Sequence, residues 1–304
     1  MLAGPISGRT TMAERVGFAG LGLMGHGMAH NIRAKGHPLA VLAHRRREAV
    51  EDLTAKGATE AGSAAALAES SDVIVLCLTA SPQVEEVVGA MMPALRAGQV
   101  VVDCSTADPV STMRLGEALR ARGVGLVDAP LGRTPKDAWE GNLDVMVGAT
   151  DEDFARVEPV LGCFAGRIVR VGGPGDGHRM KLLNNFLSLG YGAIYAEALA
   201  LARKVGISAA QFDSVIRGSR MDCGFYQTFM GYALEGNREA HRFTLANAYK
   251  DFRYVESMAN AAGVMTPLAS AAKNSYALAV GTGGDGPEDY VPHLVDYVAK
   301  ANGM

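Results

Sequence analysis

The run Val16-Gly17-Phe18-Ala19-Gly20-Leu21-Gly22-Leu23-Met24-Gly25 constrains this chain more than any other segment. A short apolar stretch meets glycines spaced G-x-G-x-x-G at 20, 22 and 25, and an alanine-rich helical pattern follows. Strand, tight turn and helix in that order open a βαβ unit, the context in which the glycine spacing carries meaning. Gly20 permits the turn, Gly22 lets a pyrophosphate approach the backbone, and Gly25 lets the helix pack closely on the strand. The free N–H groups and partial positive charge of the helix N-terminus then favour phosphate. Leu21, Leu23 and Met24 complete the turn, which points to a dinucleotide cofactor.

Downstream, β-branched runs at Arg15–Ala19, Leu39–Ala43, Asp72–Leu78, Val100–Asp103, Val124–Asp128, Asp144–Val147 and Arg167–Val171 alternate with helical segments. The segments are Gly25–Lys35, Arg47–Ala55, Pro82–Val88, Pro109–Arg122 and Asp151–Leu161. This alternation predicts right-handed crossovers and a mostly parallel sheet. It stops at Gly172-Gly173-Pro174-Gly175-Asp176-Gly177, beyond which helical periodicity runs to the C-terminus. One long helix is expected over Lys181–Val205, with further helices near 208–217, 222–235, 244–262, 267–281 and 287–301. The predicted fold is α/β: a Rossmann-type dinucleotide-binding domain over 15–176, a long interdomain helix, and an all-α domain over 177–304 for substrate and oligomerisation. Residues 1–14 read as a flexible extension, with Met12 a plausible native start.

A length of 304 residues suits two domains. With 48% hydrophobic residues and 29 basic against 32 acidic side chains, the balance excludes a disordered chain and a general nucleic-acid binder. Residues 1–14 contain no apolar signal core. The longest weakly charged stretch, Leu182–Ala196, is too short to span a bilayer. Cys77, Cys104, Cys163 and Cys223 form no C-x-x-C pair and read as reduced core thiols of a cytoplasmic protein. No metal site is expected.

The end of the second strand chooses between NAD and NADP. An NAD site places an acid there for the ribose 2′-hydroxyl, whereas this chain reads Ala43-His44-Arg45-Arg46-Arg47. Arginines would bind a 2′-phosphate through charge-assisted bonds. Arg45 and Arg46, helped by His44, therefore favour NADP; a solvated basic helix start is the alternative.

Lys181, Asn184, Asn185 and Ser188 stand at i, i+3, i+4 and i+7, one polar stripe on an otherwise apolar helix. Burying such a stripe without partners costs a few kcal/mol, so the face is expected to line a cleft facing the cofactor domain. A desolvated lysine there suits general acid–base chemistry on a carbonyl that accepts hydride. Asn185 would orient the lysine or bind substrate. A purely structural hydrogen-bonding face between domains is the other reading of the spacing.

Together these segments resemble the β-hydroxyacid dehydrogenase (3-hydroxyisobutyrate dehydrogenase-like) family. VGFAGLGLMGHGMAHNIRAKGH resembles its N-terminal signature, and Asp128-Ala129-Pro130 with Ala138–Leu143 and Met146-Val147-Gly148 its substrate segment. Gly175–Asn185 resembles its catalytic segment and Lys250-Asp251 its K-D motif. The resemblance implies that Lys181 is the catalytic acid/base, that Asn185 positions substrate, and that Lys250 and Asp251 reach the substrate and cofactor. Thr106 would contact the nicotinamide side, and Leu78 and Thr79 would line the cofactor cleft.

One departure stands out: the usual V-S-G-G after D-A-P is Leu131-Gly132-Arg133-Thr134 here. This G-R-T run, with Asn184-Asn185-Phe186-Leu187-Ser188, is similar to the sulfolactaldehyde reductases of the family. That similarity implies that Gly132, Arg133, Thr134, Asn184 and Ser188 hold a substrate anion; Arg133 on a carboxylate, or merely at the surface, is the alternative. Those reductases are expected to prefer NAD, which sits against the arginines after Ala43.

The function expected is reduction of a small anionic aldehyde, or oxidation of the matching hydroxy acid, with NADP or NAD. Sulfolactaldehyde, 3-hydroxyisobutyrate, tartronate semialdehyde and succinic semialdehyde/4-hydroxybutyrate are candidate substrates. Imine reduction is a rival disfavoured by the lysine at 181, and a non-catalytic dinucleotide-binding module is a second. Surplus apolar faces on the helices predict a homodimer or homotetramer; no nucleic acid or membrane partner is expected.

Overall fold

The computed structural model describes residues 13–44, 47–282, 286 and 288–304. The chain divides into two compact units, one formed by Met1–Ser105 with Met113–Gly177, the other by Thr106–Thr112 with His178–Met304. The short Thr106–Thr112 segment, which the sequence reading puts in the first domain, thus clusters with the helical one.

In the first unit the strands are β1 (Val16–Ala19), β2 (Leu39–Leu42), β3 (Thr59–Ala61), β4 (Val73–Leu76), β5 (Val100–Asp103) and β6 (Gly125–Asp128). They are followed by β7 (Leu131–Gly132), β8 (Leu143–Gly148) and β9 (Ala165–Gly172). The sheet order is β3-β2-β1-β4-β5-β6-β8-β7, with β9 paired to β8. Pairing is parallel from β3 to β6, antiparallel for β6·β8 and β7·β8, and parallel again for β8·β9.

The period of two in these strands divides their side chains between two cores. Val16, Phe18, Val73, Val75, Val100 and Val102 pack on one face of the sheet. Ala19, Ile74, Leu76 and Val101 pack on the other. A sheet buried on both faces needs near-continuous apolar strands, as seen in β4 and β5. Helices α1 (Gly25–Ala34), α2 (Glu48–Ala55), α3 (Ala64–Ser70), α4 (Ser81–Met91), α5 (Pro109–Arg120), α6 (Pro135–Glu140) and α7 (Asp151–Leu161) connect the strands.

Helix α8 spans Asp176–Lys204, starting five residues before the sequence reading begins it. It is followed by α9 (Ala209–Ile216), α10 (Gly224–Glu235), α11 (Leu245–Ala262), α12 (Pro267–Gly281) and α13 (Leu294–Ala301). Leu182, Leu189, Ala196, Tyr226, Phe229, Phe252 and Tyr276 form the core of this unit. The last expected helix is shorter than predicted, because a 3₁₀ turn at Val291–His293, with Pro292 inside it, precedes α13. Among the described residues, no helix is long and apolar enough to cross a membrane.

Candidate active site

The glycine turn forms as its spacing requires. Gly20 has φ +100°, and a Cβ there would overlap the carbonyl of Cys77. A Cβ on Gly25 would overlap the carbonyl oxygen of Gly20 and lie 3.0 Å from Phe18 Cε1. The fold itself demands these two glycines. Gly22 differs: nothing lies within 4 Å of a Cβ built there. The missing side chain at 22 leaves room for a ligand rather than for the protein.

Met24 precedes helix α1 without giving it a side-chain cap, and the first turn holds no acid. Its leading N–H groups are therefore not spent on a capping side chain, as a phosphate site requires. Beside the turn is a cavity of about 400 Å³ lined by Gly20, Leu21, Gly22, Leu42, Ala43, His44, Val50, Leu78, Thr79, Gln83 and Glu86, among others. The donor set and the open space at Gly22 fit a dinucleotide. Leu78 is fixed from below, its N–H donating to Ser105 Oγ at 2.9 Å.

Ala43 and His44 stand at the cavity wall, while Arg45 and Arg46 lie outside the described residues. Arg47 is committed elsewhere: its guanidinium bonds both oxygens of Glu60, at 2.7 and 3.0 Å. Gln83 and Glu86, on α4, were not singled out from the sequence. Their only signal is an i, i+3 polar pair just after the strand end that carries Leu78 and Thr79.

Further along the same unit, Arg133 follows β7 and has φ +76°, the sole positive φ of a non-glycine among the described residues. Its Nε lies 3.0 Å from Asp144 Oδ2 and its Nη1 3.8 Å from Asp137 Oδ1. Thr134 caps α6 and forms a reciprocal box with Asp137, whose carboxyl is held below its usual range chiefly by the Thr134 hydroxyl. Gly132 pairs with Asp144 across β7·β8. Asp128 of the D-A-P motif is fully buried and accepts from Gly175 N at 2.6 Å, fixing the glycine-rich link before α8.

In the second unit, the polar stripe of α8 meets α11. Asn185 is buried and its Nδ2 donates to Asp251 Oδ2 at 2.7 Å. Asp251, 1% exposed, also pairs through Oδ1 with Lys250 Nζ at 3.2 Å. Lys250 donates in addition to the carbonyl of Thr106 at 3.3 Å. Thr106 thus enters this cluster through its backbone. Burial lowers the pKa of Lys181 below that of a free lysine; the Asp251 charge works against the shift and the Lys250 charge adds to it.

The sequence reading leaves Asn185 either to orient the lysine or to bind substrate; the geometry commits its amide to Asp251. Asn184 is exposed and donates weakly to Asn185 Oδ1 at 3.4 Å, while Ser188 is half-buried beside the Asn185 carbonyl. His178 is buried and bonds Thr112 Oγ1 through Nδ1 at 2.8 Å. That contact, which the sequence reading did not find, ties the Thr106–Thr112 segment to α8.

The four cysteines are unpaired. Burial raises the Cys77 thiol to about 12 and that of Cys104 well above its ordinary value. Neither is a nucleophile at neutral pH. Among the described residues no cluster of histidine, cysteine or carboxylate could hold a metal.

Two family models cover most of the chain: the NAD-binding domain of 6-phosphogluconate dehydrogenase over residues 15–173, and the NAD-binding domain of NADP-dependent 3-hydroxyisobutyrate dehydrogenase over 175–292. The chain is 31% identical to 3-sulfolactaldehyde reductase of Escherichia coli, over 95% of this chain and 97% of that protein. It is 32% identical to 3-hydroxyisobutyrate dehydrogenase of Pseudomonas aeruginosa, over 86% and 91%. The solved Mycobacterium tuberculosis 3-hydroxyisobutyrate dehydrogenase with L-serine superposes with a TM-score of 0.84 at 26% identity, covering 94% of this chain and 99% of that one. Imine reductases, such as one from a Pseudomonas species at 20% identity and TM-score 0.60, share the fold alone. A glycine turn that leaves its middle position open, a half-buried lysine with a lowered pKa and matches spanning both units lead to one conclusion: the chain belongs to the β-hydroxyacid dehydrogenase family and is an NAD(P)-dependent oxidoreductase.

Proposed function

We propose that this enzyme interconverts a small aldehyde carrying a terminal anion with the corresponding hydroxy acid, using NADP in preference to NAD. The observation that carries the reading is the desolvated Lys181 beside the Asn185–Asp251–Lys250 network. The cofactor, held at Gly20, Gly22 and Gly25 and along Leu78 and Thr79, supplies or takes up the hydride. Lys181 serves as the proton donor to the carbonyl oxygen in reduction and as the base in oxidation. Lowering its pKa towards the working pH favours both roles. Asn185 fixes Asp251, which pairs with Lys250 and tempers the shift at Lys181. Thr106 faces the nicotinamide side.

Arg133, with Gly132 and Thr134, anchors the substrate's anionic end. A guanidinium forks on carboxylate or sulfonate alike, so sulfolactaldehyde, methylmalonate semialdehyde, tartronate semialdehyde and succinic semialdehyde are all substrates to assay. Similarity to the E. coli sulfolactaldehyde reductase over nearly the whole chain supports the first. Preference for NADP rests on Ala43 in place of an acid and on Arg45 and Arg46. The setting is cytoplasmic and the assembly a homodimer or homotetramer.

The test is NADPH and NADH oxidation with these aldehydes and glyoxylate. Turnover on anionic aldehydes with NADPH favoured supports the reading. NADPH binding without turnover on any of them overturns it in favour of a non-catalytic module, and turnover on cyclic imines alone favours imine reduction.

A further inference from the structure

Arg133 sits in an unusual setting for an anion receptor. Its backbone is left-handed, a conformation that disfavours any residue with a Cβ. Its guanidinium is already approached by Asp144 at 3.0 Å and by Asp137 at 3.8 Å. Asp137 is pinned by the α6 capping box, its carboxylate accepting from Thr134 N at 3.1 Å. Asp144 keeps one oxygen, Oδ1, buried without a hydrogen-bond partner. A Cβ on Gly132 would lie 3.3 Å from Asp144 Cβ, so the glycine leaves this carboxylate its place beside the arginine.

Two consequences follow from the chemistry of the group. Asp144 occupies Nε, and 3.8 Å is too long for a hydrogen bond from Nη1 to Asp137. The Nη1/Nη2 end of the guanidinium is therefore the edge left for a forked ligand. One cation also faces two carboxylates, so the cluster as a whole carries a net negative charge. A ligand bound there is held by the geometry of the fork, and each further negative charge on it meets repulsion.

We propose that Asp144 is a specificity-determining positioning residue that presents Arg133 end-on and restricts the subsite to monoanions, carboxylate or sulfonate, against dianionic phosphonate or phosphate. This rests on Arg133 being the anion anchor. Asp144 acts through Arg133 and takes no part in proton or hydride transfer.

The test compares aldehydes of one skeleton at pH 8: malonate semialdehyde, sulfoacetaldehyde, phosphonoacetaldehyde and uncharged propanal. Asp144→Asn keeps an acceptor for Nε and removes the charge. The KM of phosphonoacetaldehyde should then fall about tenfold relative to the two monoanions, as expected for one unit charge removed a few ångströms from the ligand. The kcat values and propanal should not change. Asp144→Ala removes the acceptor as well, so KM should rise for the monoanions and not for propanal.

Thermal unfolding of both variants separates these effects from misfolding, because a folding defect moves propanal together with the anions. If Arg133→Ala weakens the anions selectively while Asp144→Asn leaves the phosphonate-to-sulfonate ratio unchanged, the role of Asp144 is refuted and the anchor stands. If Arg133→Ala weakens propanal as much as the anions, the anchor itself falls, and the proposal with it.

Discussion

Replacing Gly22 by alanine separates what the glycine turn does for the fold from what it does for the cofactor. A Cβ at 22 meets nothing within 4 Å, and Gly22 is not among the glycines with positive φ. The folded chain therefore accepts alanine without strain, and the loss of chain entropy in the unfolded state changes stability by less than about 1 kcal/mol, in the favourable direction. For a unit of this size that is a shift of at most about 4 °C in Tm. The same methyl group, however, stands in the space left for the phosphates. Dissociation constants for NADPH and NADH, read by quenching or enhancement of nicotinamide fluorescence, should rise at least tenfold, about 1.4 kcal/mol. Gly25→Ala supplies the contrast. Its Cβ would run into the Gly20 carbonyl, a backbone atom that cannot step aside, so Tm should fall along with binding. A Gly22→Ala protein that binds both dinucleotides like the parent would refute the assignment of this turn as the phosphate cradle.

Four further outcomes are expected, the first from the sequence and the others from the geometry of the lysine network. Arg45→Ala combined with Arg46→Ala should raise KM for NADPH at least tenfold and leave NADH nearly unchanged; equal effects on the two would remove the arginines from cofactor choice. The pKa of Lys181 is lowered, so oxidation, which needs the neutral amine, should rise with pH through a midpoint below 10.5, and reduction should decline through the same region. Asp251→Asn should move that midpoint down and Lys250→Met move it up, because the first removes a raising charge and the second a lowering one; shifts of the same sign would contradict the network. Lys181→Met should stabilise the protein at neutral pH. The sign follows from linkage: a folded-state pKa below the unfolded value means that the unfolded chain binds more protons, so the wild type gains stability as pH rises between the two. Thermal denaturation from pH 7 to 10 reads both effects, and a wild type whose stability does not rise would oppose a desolvated lysine.

Much of the cofactor unit was legible because its signals are local. The G-x-G-x-x-G turn, apolar strands four residues long and the break at Gly172–Gly177 each fix conformation within a few residues. What escaped was short or depended on distant partners. β3 (Thr59–Ala61) has two exposed residues and little apolar patterning, and β7 is only two residues long. Helix α6 is six residues long, and its Thr134–Asp137 capping box lies within the run read as a substrate motif.

The polar stripe on α8 was readable from its spacing, yet its partner was not. Nothing local tells that Asn185 will meet Asp251, which lies 66 residues away. Similarly, Arg133 was visible as a charged residue in an unusual motif. Its pairing with Asp144 depends on the β7·β8 register, which alternation cannot supply for a strand of two residues.

Lys181 is the group proposed to move the proton. The most direct measurement is the rate of hydride transfer in a single turnover of Lys181→Ala, mixed with NADPH and an aldehyde that the parent reduces. Cofactor affinity is measured alongside by fluorescence titration. NADPH binding should be unchanged and the transfer rate lowered by about 10² to 10⁴. Transfer at the parental rate would contradict the role given to Lys181.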